Sequence, residues 1–321
     1  MTRILVTGGS GFIGTNLVEH YWALGNEVVN VDTVPPRNPK HQHLWIRTDL
    51  VDKGGLNRVV AEVDPEVVFH MGARTDLLGG SVSEYLANTV GVTNLIEALN
   101  AVGGLRLAVF ASSMLVCRIG YQPTHSEDYC PTTAYGESKV EGERLVRQHA
   151  GVRLPWVIVR PTSIWGPWFR EPYRDFFSAV QRGLYLHPKG HRIMRSYGFV
   201  LNAVARLARL AELDGGSLVR RTVYLADPPI ELKHWADTIQ EALGARPVRE
   251  VPIGVLRLIA RAGDWAQELG WPTPPLSSFR LNNLLTNMIH DISPWQDLGA
   301  IPYNSLEEGV KLTCQWMARE R

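Results

Sequence analysis

The 321-residue chain has little of what would tie it to a staple, a membrane or a polyanion. It carries three cysteines, Cys117, Cys130 and Cys314. That is an odd number without the two-residue spacing of a zinc knuckle, so neither a disulfide framework nor a metal site is expected. Free thiols of this kind suit a reducing, cytoplasmic compartment. No run of about 18 apolar residues occurs, and residues 1–14 show no basic start followed by a long apolar segment, so neither membrane insertion nor export is expected. Charge of neither sign dominates, with 33 Lys plus Arg against 32 Asp plus Glu. Nothing in that balance attracts nucleic acid or an anionic bilayer, and an anionic ligand must be held by local groups. A chain of this length buries a sizeable core without further help.

What is present is alternation. Short runs rich in Val and Ile at 4–7, 27–32, 44–48, 67–71, 107–112 and 156–159 read as strands, and helical spacing separates them. Phe12, Ile13, Leu17, Val18, Tyr21 and Trp22 mark the first helix, with Gly25 placed to end it. The pattern predicts an α/β fold: a Rossmann-type, doubly wound parallel sheet over residues 1–165 with right-handed crossovers. Beyond Pro161 a stretch rich in Pro, Trp and Tyr, from Trp165 to Tyr173, breaks regular structure, presents large rings and is expected to wall a pocket. Helical periodicity returns at 199–213, 232–243, 255–269 and 305–317, with one more strand at 222–225. The organisation expected is a sheet domain with elements returning around 196–228, and a smaller, discontinuous mixed α/β lobe from 166–195 and 229–321.

The segment Thr7-Gly8-Gly9-Ser10-Gly11-Phe12-Ile13-Gly14 follows the first strand and opens the first helix. Gly8 permits a tight turn, Gly11 lets main-chain N–H groups approach a pyrophosphate, and Gly14 allows close packing of helix on strand. The helix N-terminus adds partial positive charge. Asp32 ends the second strand, 18 residues after Gly14, where its carboxylate can bond ribose hydroxyls and repel a 2′-phosphate. The expected cofactor is therefore NAD, bound by Gly8, Ser10, Gly11, Phe12, Ile13, Gly14 and Asp32, while the nearby Arg37 keeps NADP in view.

Tyr135 and Lys139 lie four apart at the start of a helical segment, so a phenol and an ammonium share one face. A free phenol titrates near 10, and its use as a base at neutrality requires roughly 4 kcal/mol of preferential phenolate stabilisation. An adjacent lysine and a cationic nicotinamide supply such a field. Ser113, after the apolar strand at 107–112, sits at the carboxyl edge of the sheet, where ligands of open α/β folds bind, and can hydrogen-bond a developing alkoxide.

These residues resemble the extended short-chain dehydrogenase/reductase family, the group of NAD-dependent nucleotide-sugar epimerases and dehydratases. The likeness runs through the Thr7–Gly14 turn, Asp32, Asp49-Leu50, His70-Met71-Gly72-Ala73, the block from Asn88 to Leu95, and Arg160-Pro161 through Pro167. It implies that Asp49 and Leu50 border the adenine, that Met71, Gly72 and Ala73 line the cofactor channel, and that Asn88 and Pro161 also belong to the cofactor site. It implies a catalytic set of Ser113, Tyr135 and Lys139. Arg195 resembles the arginine that clamps a nucleotide sugar's diphosphate, with Ser113, Met114, Ser163 and Arg280 as further substrate contacts. Ser163 stands where relatives often carry asparagine, and Asn202 where aspartate is usual.

The 4,6-dehydratases of the family carry adjacent Asp and Glu after the catalytic hydroxyl, to protonate a leaving oxygen and deprotonate carbon. Here Met114 and Leu115 occupy those places, so dehydration is disfavoured. The resemblance then implies a nucleotide-sugar 4-epimerase acting through a transient keto-sugar in polysaccharide precursor synthesis. The alternatives are an NAD(P)-dependent dehydrogenase or ketoreductase of a sugar or hydroxysteroid-like alcohol, and a dinucleotide sensor without chemistry. A homodimer formed through helices at 81–101 and 133–148 is also implied.

Overall fold

The computed structural model describes residues 1–151, 154–170, 172–271, 274 and 276–320. Its centre is a parallel sheet built from β1 (Arg3–Thr7), β2 (Glu27–Asp32), β3 (Trp45–Arg47), β4 (Val67–His70), β5 (Leu107–Ala111), β6 (Trp156–Pro161) and the strand Thr222–Leu225. Their spatial order is Thr222–Leu225, β6, β5, β4, β1, β2, β3. The chain thus winds outward one way from β1 to β3 and the other way from β4, and the crevice of such a reversal is where open α/β sheets bind ligands. Register places Thr7 beside both Val31 and His70, so the carboxyl ends that carry the glycine turn and the 71–73 segment open at one level.

Apolar side chains cover the sheet on both faces. On one, Ile4, Val6, Phe69, Val109 and Val159 meet α1 (Phe12–Ala23) and the helix Val200–Glu212. On the other, Leu5, Val68, Ala108 and Ile158 meet α2 (Lys53–Val63), α3 (Val90–Asn100) and α4 (Ala134–His149). Near-continuous Val and Ile in these strands is what burial on two faces demands. Gly25 takes φ +74° just past α1, the left-handed position that ends a helix.

Two expectations change. The helix drawn over 81–101 is broken: 3₁₀ turns at Val82–Glu84 and Leu86–Asn88 precede α3. The cause is tertiary. Tyr85 is fully buried, with its hydroxyl donating to the Asp76 carbonyl at 2.9 Å. The buried Asn88 amide donates to the Arg74 carbonyl at 3.0 Å and to Ser138 Oγ at 2.9 Å. These anchors hold 74–88 as an irregular wall instead of a helical turn. The second change concerns the rings after Pro161, of which Phe169 and Tyr173 do wall a cavity as expected while the stretch as a whole turns inward. Trp165 and Phe169 are buried, and with Phe177, Phe199 and Trp235 they form the core of the second lobe. Trp165 lies 5.0 Å from Phe199 and 5.6 Å from Trp235, ring centre to ring centre, the tilted contacts aromatic quadrupoles favour.

Small strand pairs join the lobe to itself and to the sheet's edge: Ser163–Trp165 with Tyr197–Phe199, Met194–Arg195 with Ile230–Glu231, and Leu186–Pro188 with Arg249–Val251. The closing helix Leu306–Arg319 begins with a capping box between Ser305 and Glu308. Among the described residues no helix is long and apolar enough to cross a membrane, and no cluster of His, Cys, Asp and Glu could hold a metal ion. The three cysteines are free thiols.

Candidate active site

One cavity of about 1060 Å³ runs along the carboxyl edge of the sheet, from the glycine turn to the far side of Tyr135. Its first wall is main chain. Gly8, at φ +69°, donates its N–H to the Val31 carbonyl at 2.8 Å and accepts from the Gly11 N–H at 2.9 Å, which closes the turn. A Cβ on Gly14 would overlap the Gly8 carbonyl oxygen and stand 2.7 Å from Gly9 Cα. The absent side chain therefore sets how closely α1 approaches β1. Ser10 ties this turn to the end of β2: its N–H donates to Asp32 Oδ2 at 3.1 Å and its hydroxyl to the Val34 carbonyl at 2.8 Å. Asp32 also accepts from the Val34 N–H at 3.2 Å. Burial raises its pKa above the usual carboxylate value, and these main-chain donors oppose the rise.

Ser10, Phe12, Ile13 and Asp32 line this end together with Gly8, Gly11 and Gly14; Asp49 and Leu50 follow beside them, then Met71, Gly72 and Ala73. Behind this wall Thr7 Oγ1 and His70 Nδ1 are 2.7 Å apart, and burial holds the imidazole neutral by pulling its pKa to about 3. Asn88 does not line the cavity; its side chain braces the 74 segment from behind, accepting the Arg74 N–H at 2.9 Å.

Ser113, Tyr135, Lys139 and Pro161 meet in the middle of the cavity. Helix α4 starts on the cap made by Thr133 Oγ1 and the Gly136 N–H at 3.0 Å. Gly136 lies so close to the Leu115 carbonyl that a Cβ would overlap it, and this approach brings the 113–115 turn against Tyr135. The Ser113 hydroxyl accepts the Leu115 N–H at 3.1 Å and is hydrogen-bonded to the Tyr135 phenol. Burial pushes that phenol up, and the bond to Ser113 offsets only part of the rise. This runs against the fall a base requires. Lys139 Nζ donates to the Ala111 carbonyl at 2.9 Å, and burial pulls its pKa to about 8 against the opposing charge of Glu143.

Glu143, one helical turn beyond Lys139, anchors a buried network that sequence reasoning did not assign. It accepts from Ser112 Oγ at 2.6 Å, from Arg160 Nε at 2.8 Å, from the Tyr129 hydroxyl at 3.0 Å and from Arg147 at 3.1 Å. Burial alone would raise this carboxyl, yet Arg160 and its neighbours hold it below its ordinary value. A third member of the i, i+4 series Tyr135, Lys139, Glu143 was its only local signal.

The residues expected to hold substrate are not gathered in the same way. Met114 packs toward the second lobe's core. Arg195 is buried off the cavity wall, with Nη2 donating to the carbonyls of Asn283 and, at 2.9 Å, Leu284, while its Nε has no hydrogen-bond partner among the described residues. Arg280 donates to the Pro274 carbonyl at 2.7 Å, and it too lies off the wall. Ser163 is buried behind Tyr173 and hydrogen-bonded to its phenol. Asn202 is engaged by Asp227 at 3.1 Å and by the Asn304 carbonyl at 3.0 Å. Beyond Tyr135 the wall is instead Thr162, Ile164, Phe169 and Tyr173; Phe169 and Tyr173 belong to the aromatic stretch expected to wall a pocket, whereas Thr162 and Ile164 carried no expectation.

Residues 4–192 match the model of the NAD dependent epimerase/dehydratase family. The chain belongs to that family. Among its relatives is a 3-beta-hydroxysteroid dehydrogenase of Mycolicibacterium neoaurum, 30% identical over 96% of this chain and 89% of that one. In fold the chain is similar to a putative epimerase from Burkholderia cenocepacia, with a TM-score of 0.77, 19% identity and coverage of 99% and 98% of the two chains. It is also similar to a UDP-glucose 4-epimerase of Thermotoga maritima, with a TM-score of 0.72, 20% identity and 99% of each chain covered. The protein is thus an NAD-dependent enzyme of the extended short-chain dehydrogenase/reductase type. The Gly14 approach, the Asp32 carboxylate at the end of β2 and the length of the cavity fit the cofactor of this NAD dependent epimerase/dehydratase family member.

Proposed function

We propose that the protein is a dehydrogenase that oxidises a secondary hydroxyl on a largely uncharged substrate, with Tyr135 Oη as proton acceptor and Ser113 Oγ holding the hydroxyl. One observation carries the substrate class. Past Tyr135 the cavity meets Ile164, Phe169 and Tyr173, whereas the guanidiniums of Arg195 and Arg280 are turned to main-chain carbonyls. An apolar body gains by displacing water from such a wall, and neither Arg195 nor Arg280 lines it to meet a diphosphate. The full-length likeness to a 3-beta-hydroxysteroid dehydrogenase supports the same reading. The glycine turn and Asp32 would hold NAD, which would supply the hydride acceptor. Lys139 Nζ, held on the Ala111 carbonyl, keeps its remaining hydrogens for the ribose and the field at Tyr135 Oη.

A second reading, the nucleotide-sugar 4-epimerase, is favoured by one atom: Arg195 Nε, buried behind Tyr173 and without a hydrogen-bond partner among the described residues. A small rotation of Tyr173 would offer that donor to a phosphate. The sequence put this reading first, and the engaged Nη2 of Arg195 moves it to second place. Assembly as a homodimer through α3 and α4 remains part of the proposal, measurable by light scattering.

The deciding experiment follows absorbance at 340 nm with NAD and a panel of 3β-hydroxysteroids and simple secondary alcohols, alongside UDP- and GDP-sugars analysed for epimers. The proposal expects NADH from the uncharged alcohols and no change of Tm with UDP alone. Epimer formation with a Tm raised by UDP would overturn it.

A further inference from the structure

Residues 166–170 leave the sheet and cross straight back over its opening. Gly166 and the non-glycine Trp168 take φ +132° and +72°, a conformation that for tryptophan persists only where its surroundings enforce it. Here they do so at three points. The Pro167 carbonyl accepts from Asn16 Nδ2 of α1 at 3.1 Å. The Trp168 carbonyl accepts from Arg37 Nη1 at 2.6 Å. The Phe169 ring lies 6.4 Å from that of Phe12, the first residue of α1.

The crossing delivers Arg170 to the cavity wall beside the start of α1, with Arg37 as its neighbour. Among the described residues no acceptor takes the hydrogens of the Arg170 guanidinium. Arg37 faces Asp32 on one side and Arg170 on the other, and both burial and that second cation disfavour its charge. Two guanidiniums on one cavity wall repel each other unless an anion lies between them.

We propose that Arg170, steadied by the crossing and seconded by Arg37, binds the pyrophosphate of the dinucleotide from the side opposite the α1 N-terminus. A planar fork of N–H donors suits two phosphate oxygens. The contact between Phe169 and Phe12 brings Arg170 toward the helix start, while Arg37 stands between it and Asp32. The second lobe thereby holds the cofactor through its first residues. This inference rests on the family's NAD and is independent of which alcohol is oxidised.

Calorimetric titration of the full chain with NAD, ADP, adenosine and 2′,5′-ADP tests it. Arg170→Gln should weaken NAD and ADP about tenfold each, the worth of one charge-assisted hydrogen bond, and leave adenosine unchanged. Arg170→Lys should restore part of the loss. Unchanged ADP affinity in Arg170→Gln would overturn the assignment. So would a loss confined to 2′,5′-ADP, which would move the arginine to the ribose, or an equal loss for adenosine, which would make its role one of packing.

Discussion

At one end of the cavity the wall is main chain; at the other it is side chain. The glycine turn fixes its shape through carbonyls and N–H groups of Gly8, Gly11 and Val31, and side chains matter there chiefly by being absent. The end beyond Tyr135 is made by Ile164, Phe169 and Tyr173, whose positions depend on an aromatic core contributed by distant segments. The first end is where the pyrophosphate and ribose of the family's NAD are proposed to lie, and a backbone can recognise these with few residue choices. The second must fit one substrate, and a side-chain wall changes by single substitutions without disturbing the fold.

The largest effect is expected at the seam between the two ends. Tyr135→Phe removes the only atom proposed to take the proton, and turnover should fall by about 10²–10⁴-fold. NAD affinity by calorimetry should stay within about twofold, since the ring and the turn remain. Comparable turnover in that variant would detach the chemistry from the cavity.

Gly14→Val should come next and act on the opposite observable. Its Cβ would overlap the Gly8 carbonyl, a main-chain atom that cannot swing aside, so α1 must lift from β1 at a cost of about 3 kcal/mol. A loss of NAD affinity on the order of a hundredfold, with a lower Tm, is expected. Gly25→Ala is the control: φ there is +74° with nothing within 4 Å of the new Cβ. It should cost about 1 kcal/mol of stability and leave NAD binding intact.

Lys139→Met should separate stability from function by pH. Burial lowers the folded pKa of Lys139 to about 8, below the ordinary lysine value near 10.4 in the unfolded chain. The unfolded state therefore holds this proton more tightly, and the native lysine is a liability while it is charged in both states, below pH about 8. That liability shrinks as pH rises from about 8 toward 10.4, where the unfolded state loses its proton too. The Met variant should be more stable by about 1–3 kcal/mol at pH 7 in denaturant titrations, with the gap closing by pH 10, and should be inactive throughout. A pH-independent gap would mean that the ammonium carries no desolvation cost.

The backbone end was largely legible in the sequence, whereas of the side-chain end only the aromatic stretch that holds Phe169 and Tyr173 was. The glycine turn, Asp32 and the Tyr135–Lys139 pair are local patterns, in which spacing along the chain is also spacing in the structure. The strands at 27–32 and 222–225 likewise announce themselves by short runs rich in β-branched and aromatic residues. What spacing does not encode is which distant partner a polar group finds. Arg195 points to carbonyls 88 and 89 residues away. Glu143 of α4 meets Arg160 of β6 across 17 residues. Tyr85 breaks a helical pattern because its hydroxyl has a carbonyl to reach from inside the core. Cys117 and Cys130, unrelated by spacing, stand opposite each other across a β-bridge.

The smallest effect sharpens the contrast most. Tyr173 reaches the cavity wall with its phenol hydrogen-bonded to the buried Ser163, and its ring is held 6.0 Å from Tyr197 and 6.4 Å from Trp235. Tyr173→Phe keeps the ring and removes one hydroxyl, leaving Ser163 Oγ to find another partner or water, a change of about 1 kcal/mol in stability. NAD affinity should not move, because no part of the glycine turn touches this residue. KM for the substrate should shift a few-fold while kcat holds, the pattern of a residue that contacts ground state and transition state alike. If the substrate is an uncharged alcohol, KM should fall or stay level, since the wall becomes more apolar. A rise in KM of tenfold or more, with UDP affinity falling in step, would instead mean that the phenol and the Arg195 Nε behind it present a phosphate site, and the nucleotide-sugar reading would regain first place.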